Sequence, residues 1–342
     1  MERTEIADYG EFGLIRHLTK NIELQNVSSI LGVGDDAAVI DHYGKQTVVT
    51  TDLLIEGVHF DLMYTPLKHL GYKSVVVNIS DIFAMNAQPT QITLSVGISN
   101  RFPVEALEEF YEGVYAACET YGVDLVGGDT ASSQKGFIIS ITAIGEVAAD
   151  KLVKRSGAKK GDLLCCSGAL GAPYLGLLFL EREKKIYLEN PNIQPDLEGE
   201  DYVIGRLLKP EARQDIIQFF EQSGTLPTAM MDISDGLSSE ILHICESSSV
   251  GAVLYEEKIP IMEETRKAAY KFELDPTACA LSGGEEYELL FTVDQKDYDQ
   301  LLQYDQITVI GYMTDAAEGA RIITKGGNTH PITAQGWNAF KK

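Results

Sequence analysis

Apolar side chains between residues 67 and 84 return at helical spacing with few polar interruptions, which predicts a mostly buried helix. Residues 104–118 behave differently. Val104, Leu107, Phe110, Tyr111, Val114, Tyr115 and Cys118 share one face, and Glu105, Glu108, Glu109 and Glu112 lie outside it, so an amphipathic helix is expected. Strands are expected where β-branched runs occur, at 46–52 (ending on Asp52), 91–98 and 137–147. The second half opens with a strand at 162–166, then the turn Ser167-Gly168-Ala169-Leu170-Gly171 and an apolar helix. Residues 181–200 are charged and contain proline, and read as a surface loop or irregular helix. Further helices are expected at 236–247 and 261–270, and strands at 252–255, 287–293 and 307–312. Alternation of strands and helices in both halves indicates an α/β or α+β protein.

A chain of 342 residues calls for two domains. The basic, glycine-containing stretch Lys151, Lys154, Arg155, Ser156, Gly157, Lys159, Lys160 marks the boundary, giving units at 1–150 and 151–342. Charge narrows the function. With 28 basic and 51 acidic side chains, a net charge of −23 repels nucleic acid and anionic membranes. The five cysteines form no C-x-x-C, and the vicinal Cys165-Cys166 reads as buried thiol. The start Met1-Glu2-Arg3-Thr4-Glu5 lacks an apolar signal core, and no run of ~18 apolar residues is present, so a cytoplasmic protein is expected.

The informative residues are aspartates beside glycines: Gly34-Asp35-Asp36, Thr50-Thr51-Asp52, Asn78-Ile79-Ser80-Asp81, Gly127-Gly128-Asp129-Thr130, Asp232-Ile233-Ser234-Asp235-Gly236 and Gly283-Gly284-Glu285-Glu286. They are expected at turns or element ends, where each alone suits a turn or a helix cap. Asp81 is the exception, because it falls inside the apolar 67–84 helix on the face of Asn78. A charge buried there needs a cation or a charged partner. Many carboxylates with glycine turns suit Mg²⁺-bridged phosphate chemistry: Mg²⁺ takes hard oxygen ligands, and glycines let backbone N–H groups approach phosphate oxygens. Arg155 can supply further positive charge. The chain has no G-x-x-x-x-G-K-[ST], H-R-D or G-x-S-x-G, and Ser167–Gly171 is a partial match to a nucleotide turn.

In order along the chain, Gly10-Glu11-Phe12-Gly13-Leu14-Ile15, Gly34-Asp35-Asp36, Thr50-Thr51-Asp52-Leu53-Leu54-Ile55-Glu56-Gly57-Val58-His59-Phe60, Asn78-Ile79-Ser80-Asp81, Gly127-Gly128-Asp129-Thr130, Met231-Asp232-Ile233-Ser234-Asp235-Gly236-Leu237 and Ser282-Gly283-Gly284-Glu285-Glu286-Tyr287 resemble thiamine-monophosphate kinases over essentially the whole length. These belong with aminoimidazole ribonucleotide synthases, selenophosphate synthetases and a hydrogenase-maturation protein. The resemblance implies an aminoimidazole ribonucleotide synthase-like fold of two α/β domains, the N-terminal one forming a barrel-like interface in a homodimer. It also implies ATP and several Mg²⁺ ions between the domains, and thiamine monophosphate as phosphoryl acceptor.

By the same resemblance Asp36, Thr50, Thr51, Asp52, Asp81, Asp129, Asp232 and Asp235 look like Mg²⁺ ligands, and Tyr111, Gly128, Asp129, Arg155 and Ser234 like ATP contacts. His59, Glu285 and Trp337 or Phe340 look like acceptor contacts, and Asp52, Asp81 and Arg155 like the catalytic set. Glu286 departs from the family's usual Gly-Gly-Glu-Asp. A selenophosphate synthetase would want a reactive cysteine near the start, and the first here is Cys118. A cyclising synthase of purine synthesis and a non-catalytic nucleotide-binding protein are the other readings. A phosphate acceptor is largely dianionic at neutral pH, so transfer needs positioning and charge neutralisation more than a general base.

Overall fold

The computed structural model describes residues 29–31, 34–42, 44–99 and 102–334 as two sheets flanked by helices. The first half runs β1 (Ser29–Leu31), β2 (Ala38–His42), β3 (Lys45–Ile55), α1 (Leu67–Ala84), β4 (Gln88–Ile98), α2 (Val104–Tyr121), β5 (Asp124–Ser132), β6 (Ile138–Ala148). Its sheet has the order β1-β2-β3-β6-β4-β5. β4 and β5 pair in parallel, and the other pairs are antiparallel.

The second half runs β7 (Leu163–Ser167), α3 (Ala172–Glu189), α4 (Asp201–Leu208), α5 (Gln214–Ser223), β8 (Ala229–Ile233), α6 (Leu237–Ser248), β9 (Val250–Tyr255), α7 (Glu263–Lys271), α8 (Pro276–Ser282) and β10 (Glu288–Val293). It closes with α9 (Tyr298–Leu301), β11 (Ile307–Asp315), β12 (Ala320–Ile323) and β13 (Thr329–Pro331). Its sheet has the order β13-β12-β9-β11-β7-β10-β8, parallel only at β9–β12 among the described pairs.

α1 is apolar on nearly every side because it is covered on nearly every side. It packs on β3 and β6, on α2, and on β8 of the second sheet. Val75, Val76, Ile79, Ile82 and Phe83 are fully buried against Ile92, Leu94, Ile139 and Ile141. α1 and α2 cross at glycines. A Cβ on Gly71 would stand 1.9 Å from the Phe110 carbonyl oxygen, and one on Gly113 equally close, 1.9 Å, to that of Lys68. Backbone therefore touches backbone there, and any larger residue would push the helices apart.

The period-two pattern of β3 separates two faces. Val48 and Leu54 point into the core, while Leu53 on the other face is 52% exposed. No helix among the described residues covers that outer face, and the edge strand β5 is exposed along almost its whole length.

Three local expectations change. α3 continues to Glu189, into the stretch read as a surface loop or irregular helix, because Leu175, Phe179 and Leu180 keep a buried face and Glu183 accepts the Asp196 N–H at 2.9 Å. Gly127-Gly128-Asp129-Thr130 is not a turn but the interior of β5, whose exposed faces carry no apolar alternation to reveal it. β8 is a five-residue strand buried at every position, too short to show a period. The five cysteines are buried free thiols, and no helix is long and apolar enough to cross a membrane.

Candidate active site

Three elements from both halves bring carboxylates to one place. Asp36 precedes β2, Asp81 lies in the last turn of α1, and Asp232 is the fourth residue of β8. One oxygen from each falls within 4.8 Å of the others. Hydroxyls orient them: Thr50 donates to Asp81 at 2.6 Å and Ser80 to Asp232 at 2.7 Å. Arg155, between the two sheets, grips Asp36 through Nε at 2.9 Å and Nη2 at 2.6 Å. Its backbone N–H reaches both oxygens of Asp35 at 3.2 Å. Two parallel donors on one carboxylate hold both partners in plane.

The electrostatics are those of a site short of positive charge. Burial pushes the Asp81 carboxyl well above its ordinary range, and Asp52, Asp232 and Asp36 add to it. Burial, then Asp36, pushes Asp232 up to about 7 against the Ser80 hydrogen bond and Arg155. Burial alone takes Asp52 to about 6. Asp35 rises to about 6, through burial and then Asp36. Burial opposes the charge on Arg155, but Asp36 beside it outweighs that and holds the guanidinium above its usual value. Clustered carboxylates that resist ionisation are stabilised by a cation placed among them. The donor set is three carboxylate oxygens with a hydroxyl adjoining, all hard oxygens, and it fits Mg²⁺.

A cavity of about 130 Å³ opens beside the cluster, lined among others by Asp52, His59, Asp81, Asp232, Ser234 and Glu285. The Asp52 N–H is held by Asn78 Oδ1 at 3.0 Å. His59 Nδ1 accepts from the Ile55 N–H at 3.0 Å, which leaves Nε2 as the protonated ring nitrogen of the neutral form. Glu285 adopts φ of +62°, and its N–H donates to the Ser234 carbonyl at 2.6 Å.

Other expected residues lie elsewhere. Thr51 sits on the outer sheet face, where it donates to the Ile141 carbonyl at 2.9 Å. Asp235 is half-buried past the end of β8, its N–H bound to Glu240 at 2.9 Å. Tyr111 is half-buried on α2 against Phe110 and Tyr115, at ring separations of 5.7 and 5.9 Å. Gly128 and Asp129 stand on the exposed edge strand. The register puts Asp52 opposite Ile141, Ile141 opposite Leu94 and Leu94 opposite Gly128. Three strand spacings, about 14 Å, therefore separate Asp52 from Gly128 within one chain. Trp337 and Phe340, like the motif at 10–15, lie outside the described residues.

Two features were not anticipated. Lys73 of α1 is buried and donates to Glu285 at 2.9 Å; a lysine well inside a helix expected to be mostly buried was the available signal. Glu286 turns away from the cavity and accepts the Gly171 N–H, just before α3. The partial nucleotide turn thus already holds the chain's own carboxylate. Burial raises that carboxyl to about 8, opposed by Arg206.

Known proteins share the sequence pattern and the fold. Residues 34–147 match the model of the AIR synthase related protein N-terminal domain, and 179–324 that of the C-terminal domain. The chain is 34% identical to the thiamine-monophosphate kinase of Aquifex aeolicus, covering 98% of this chain and 99% of that one. It is 32% identical to the enzyme of that name from Bacillus subtilis, covering 97% and 99%. A solved structure of AaThiL complexed with AMPPCP and TMP superimposes with a TM-score of 0.83 at 32% identity, over 99% of this chain and 100% of that one.

Proposed function

This chain belongs to the thiamine-monophosphate kinases of the AIR synthase related family, ATP-dependent phosphotransferases, and we propose that its two sheets divide that work between them. The reaction carries the terminal phosphoryl group of ATP to the phosphate of thiamine monophosphate, giving ADP and thiamine diphosphate. The convergence of Asp36, Asp81 and Asp232 from both halves within 4.8 Å supports this reading most directly.

Asp36, Asp52, Asp81 and Asp232 would hold Mg²⁺, with Thr50 adjoining and Asp235 past the end of β8. The ions, when bound, screen two polyanions from each other and neutralise charge developing on the transferred group. Arg155, fixed by Asp36, presents its remaining N–H edge to the ATP phosphates, and Ser234 contacts the nucleotide. His59 and Glu285 contact the acceptor and contribute its affinity. Thr50 and Ser80 keep the Asp81 and Asp232 carboxylates oriented as charge shifts. The attacking oxygen belongs to an ionised phosphate, so no side chain has to remove a proton and no phosphoenzyme forms.

The chain acts as a homodimer. The uncovered outer face of the first sheet and the exposed edge β5 form the contact, with the two sheets closing toward a barrel. Asp129 and Gly128 then serve the other chain's site together with Thr51 and Tyr111. The 14 Å estimated between strands within one chain favours this division.

The deciding experiment follows ADP release from ATP and MgCl₂ with and without thiamine monophosphate, identifying the product by chromatography. Thiamine diphosphate in step with ADP is expected. ADP without diphosphate, or radiolabel retained on the protein after incubation with ATP and MgCl₂ alone, would defeat the scheme.

A further inference from the structure

Lys73, Val77 and Asp81 occupy positions i, i+4 and i+8 of α1, one ridge of the helix. Val77 and Asp81 line the cavity, and Lys73 continues the same ridge away from the carboxylate cluster. Its side chain is 4% exposed. A buried ammonium without a counter-ion is strongly disfavoured, so its partner is held firmly. That partner is Glu285, 2.9 Å away on the other half of the molecule, a cavity-lining residue still 31% exposed.

Glu285 is thereby fixed at two points. Its backbone, in the left-handed region at φ +62°, is tied to Ser234, and its carboxylate is tied to Lys73. An ammonium carries three N–H donors, and among the described residues Glu285 is the acceptor Lys73 meets. Eight residues of helix place the Lys73 and Asp81 backbones about 12 Å apart along the axis. Lys73 thus stands on the far side of Val77 from Asp81, and its ion pair with Glu285 forms part of the cavity wall outside the carboxylate cluster.

We propose that Lys73 is a positioning residue for the acceptor. It holds the Glu285 carboxylate in one orientation at the cavity wall, and so sets acceptor affinity without entering phosphoryl transfer. This role rests on the reading of Glu285 as an acceptor contact.

Steady-state kinetics on the full chain, with ATP and Mg²⁺ saturating, test it. Lys73→Met should raise KM for thiamine monophosphate about tenfold, with kcat within about threefold and KM for ATP unchanged. Lys73→Arg, which keeps the cation, should recover most of that loss. Glu285→Gln should raise the same KM, and adding Lys73→Met to it should change KM by less than about twofold, because the residue Lys73 acts through is already altered. A fall in kcat without a rise in acceptor KM, or single effects that multiply in the double variant, would overturn the proposal.

Thermal melting reports whether Lys73→Met folds. If it does not, the cycle is run with Lys73→Gln, which removes the charge but keeps a polar head. A raised acceptor KM in the parent but not in the Glu285→Gln background supports the role, and equal effects in both overturn it. A wild-type chain that releases no ADP with thiamine monophosphate defeats the kinase reading itself. An active wild type in which Lys73→Met behaves like the parent defeats only the role of Lys73.

Discussion

β8 and β5 both carry an aspartate flagged by its neighbours, and they present it in opposite ways. On β8 every residue is buried, and Asp232 is enclosed by Ser80, Asp36 and Asp81 contributed by the other half. On β5 nearly every residue is exposed, and Asp129 stands on a sheet edge three strands from Asp52. Burial completes the first site within one chain. The second is a carboxylate on a strand edge that has no partner strand among the described residues, and long exposed edges invite pairing. Identical chemistry in the sequence thus stands in an enclosed cluster in one place and on an open edge in the other.

The largest test strikes the closed site. Asp81→Asn or Asp232→Asn keeps the Thr50 or Ser80 hydrogen bond but removes a charge from the cluster, and should lower kcat at least ~10³-fold with the fold retained. Circular dichroism and turnover together check this, and near-normal turnover would remove that residue from the metal set.

Next comes the open site. Asp129→Asn should cost about 100-fold. Mixing inactive Asp129→Asn and Asp81→Asn chains, with exchange of subunits, should restore activity toward about a quarter of wild type, since a random mixed dimer regains one intact site of two. No recovery despite demonstrated exchange would mean that Asp129 serves its own chain.

A smaller effect is expected from Val126→Lys on the edge, a residue 58% exposed. It should weaken association, so that specific activity falls on dilution by about tenfold more than in the parent. Light scattering across the same concentrations would show whether mass and activity fall together.

The smallest effect concerns pH. Asp232 is pushed up from 3.8 to about 7 by burial and then Asp36, so the folded chain binds its proton more tightly than the unfolded one. That contribution to stability is complete below about pH 4 and is lost as pH rises through about 7. In EDTA, Asp232→Asn should therefore gain on the parent by a few degrees in Tm between pH 5.5 and 8. MgCl₂ should stabilise the parent more at pH 8 than at pH 5.5. A difference between the two proteins that does not change with pH would contradict the assigned protonation.

The sharp contrast between the strands was hidden in the sequence for two physical reasons. β8 spans five residues, and β5 exposes both faces, so neither offers a period to detect. Long elements with a strong pattern were legible: α1 falls at the expected residues, and α2, β3 and β6 differ by a few residues at their ends. At the site, Asp81 was readable because a carboxylate in an apolar helix demands a partner. By the same logic Lys73 was readable, yet its partner lies 212 positions along the chain, a separation that only the fold closes. Nor does a motif such as Gly128-Asp129 say whether its side chain will stand in a buried cluster or on an exposed edge.

The glycine crossing of α1 and α2 has a consequence for what the cavity admits. With backbone against backbone at Gly71 and Gly113, α1 has no slack to slide along its axis. Asp81, which lines the cavity, and Lys73, which stands behind Glu285, thus keep one separation along α1. On the reading proposed here, the acceptor touches Glu285 and not Lys73, so any shift of α1 reaches it through the Lys73–Glu285 contact. Gly71→Ala, far from any reacting atom, would move both residues relative to β3 and should be felt as a change in acceptor affinity.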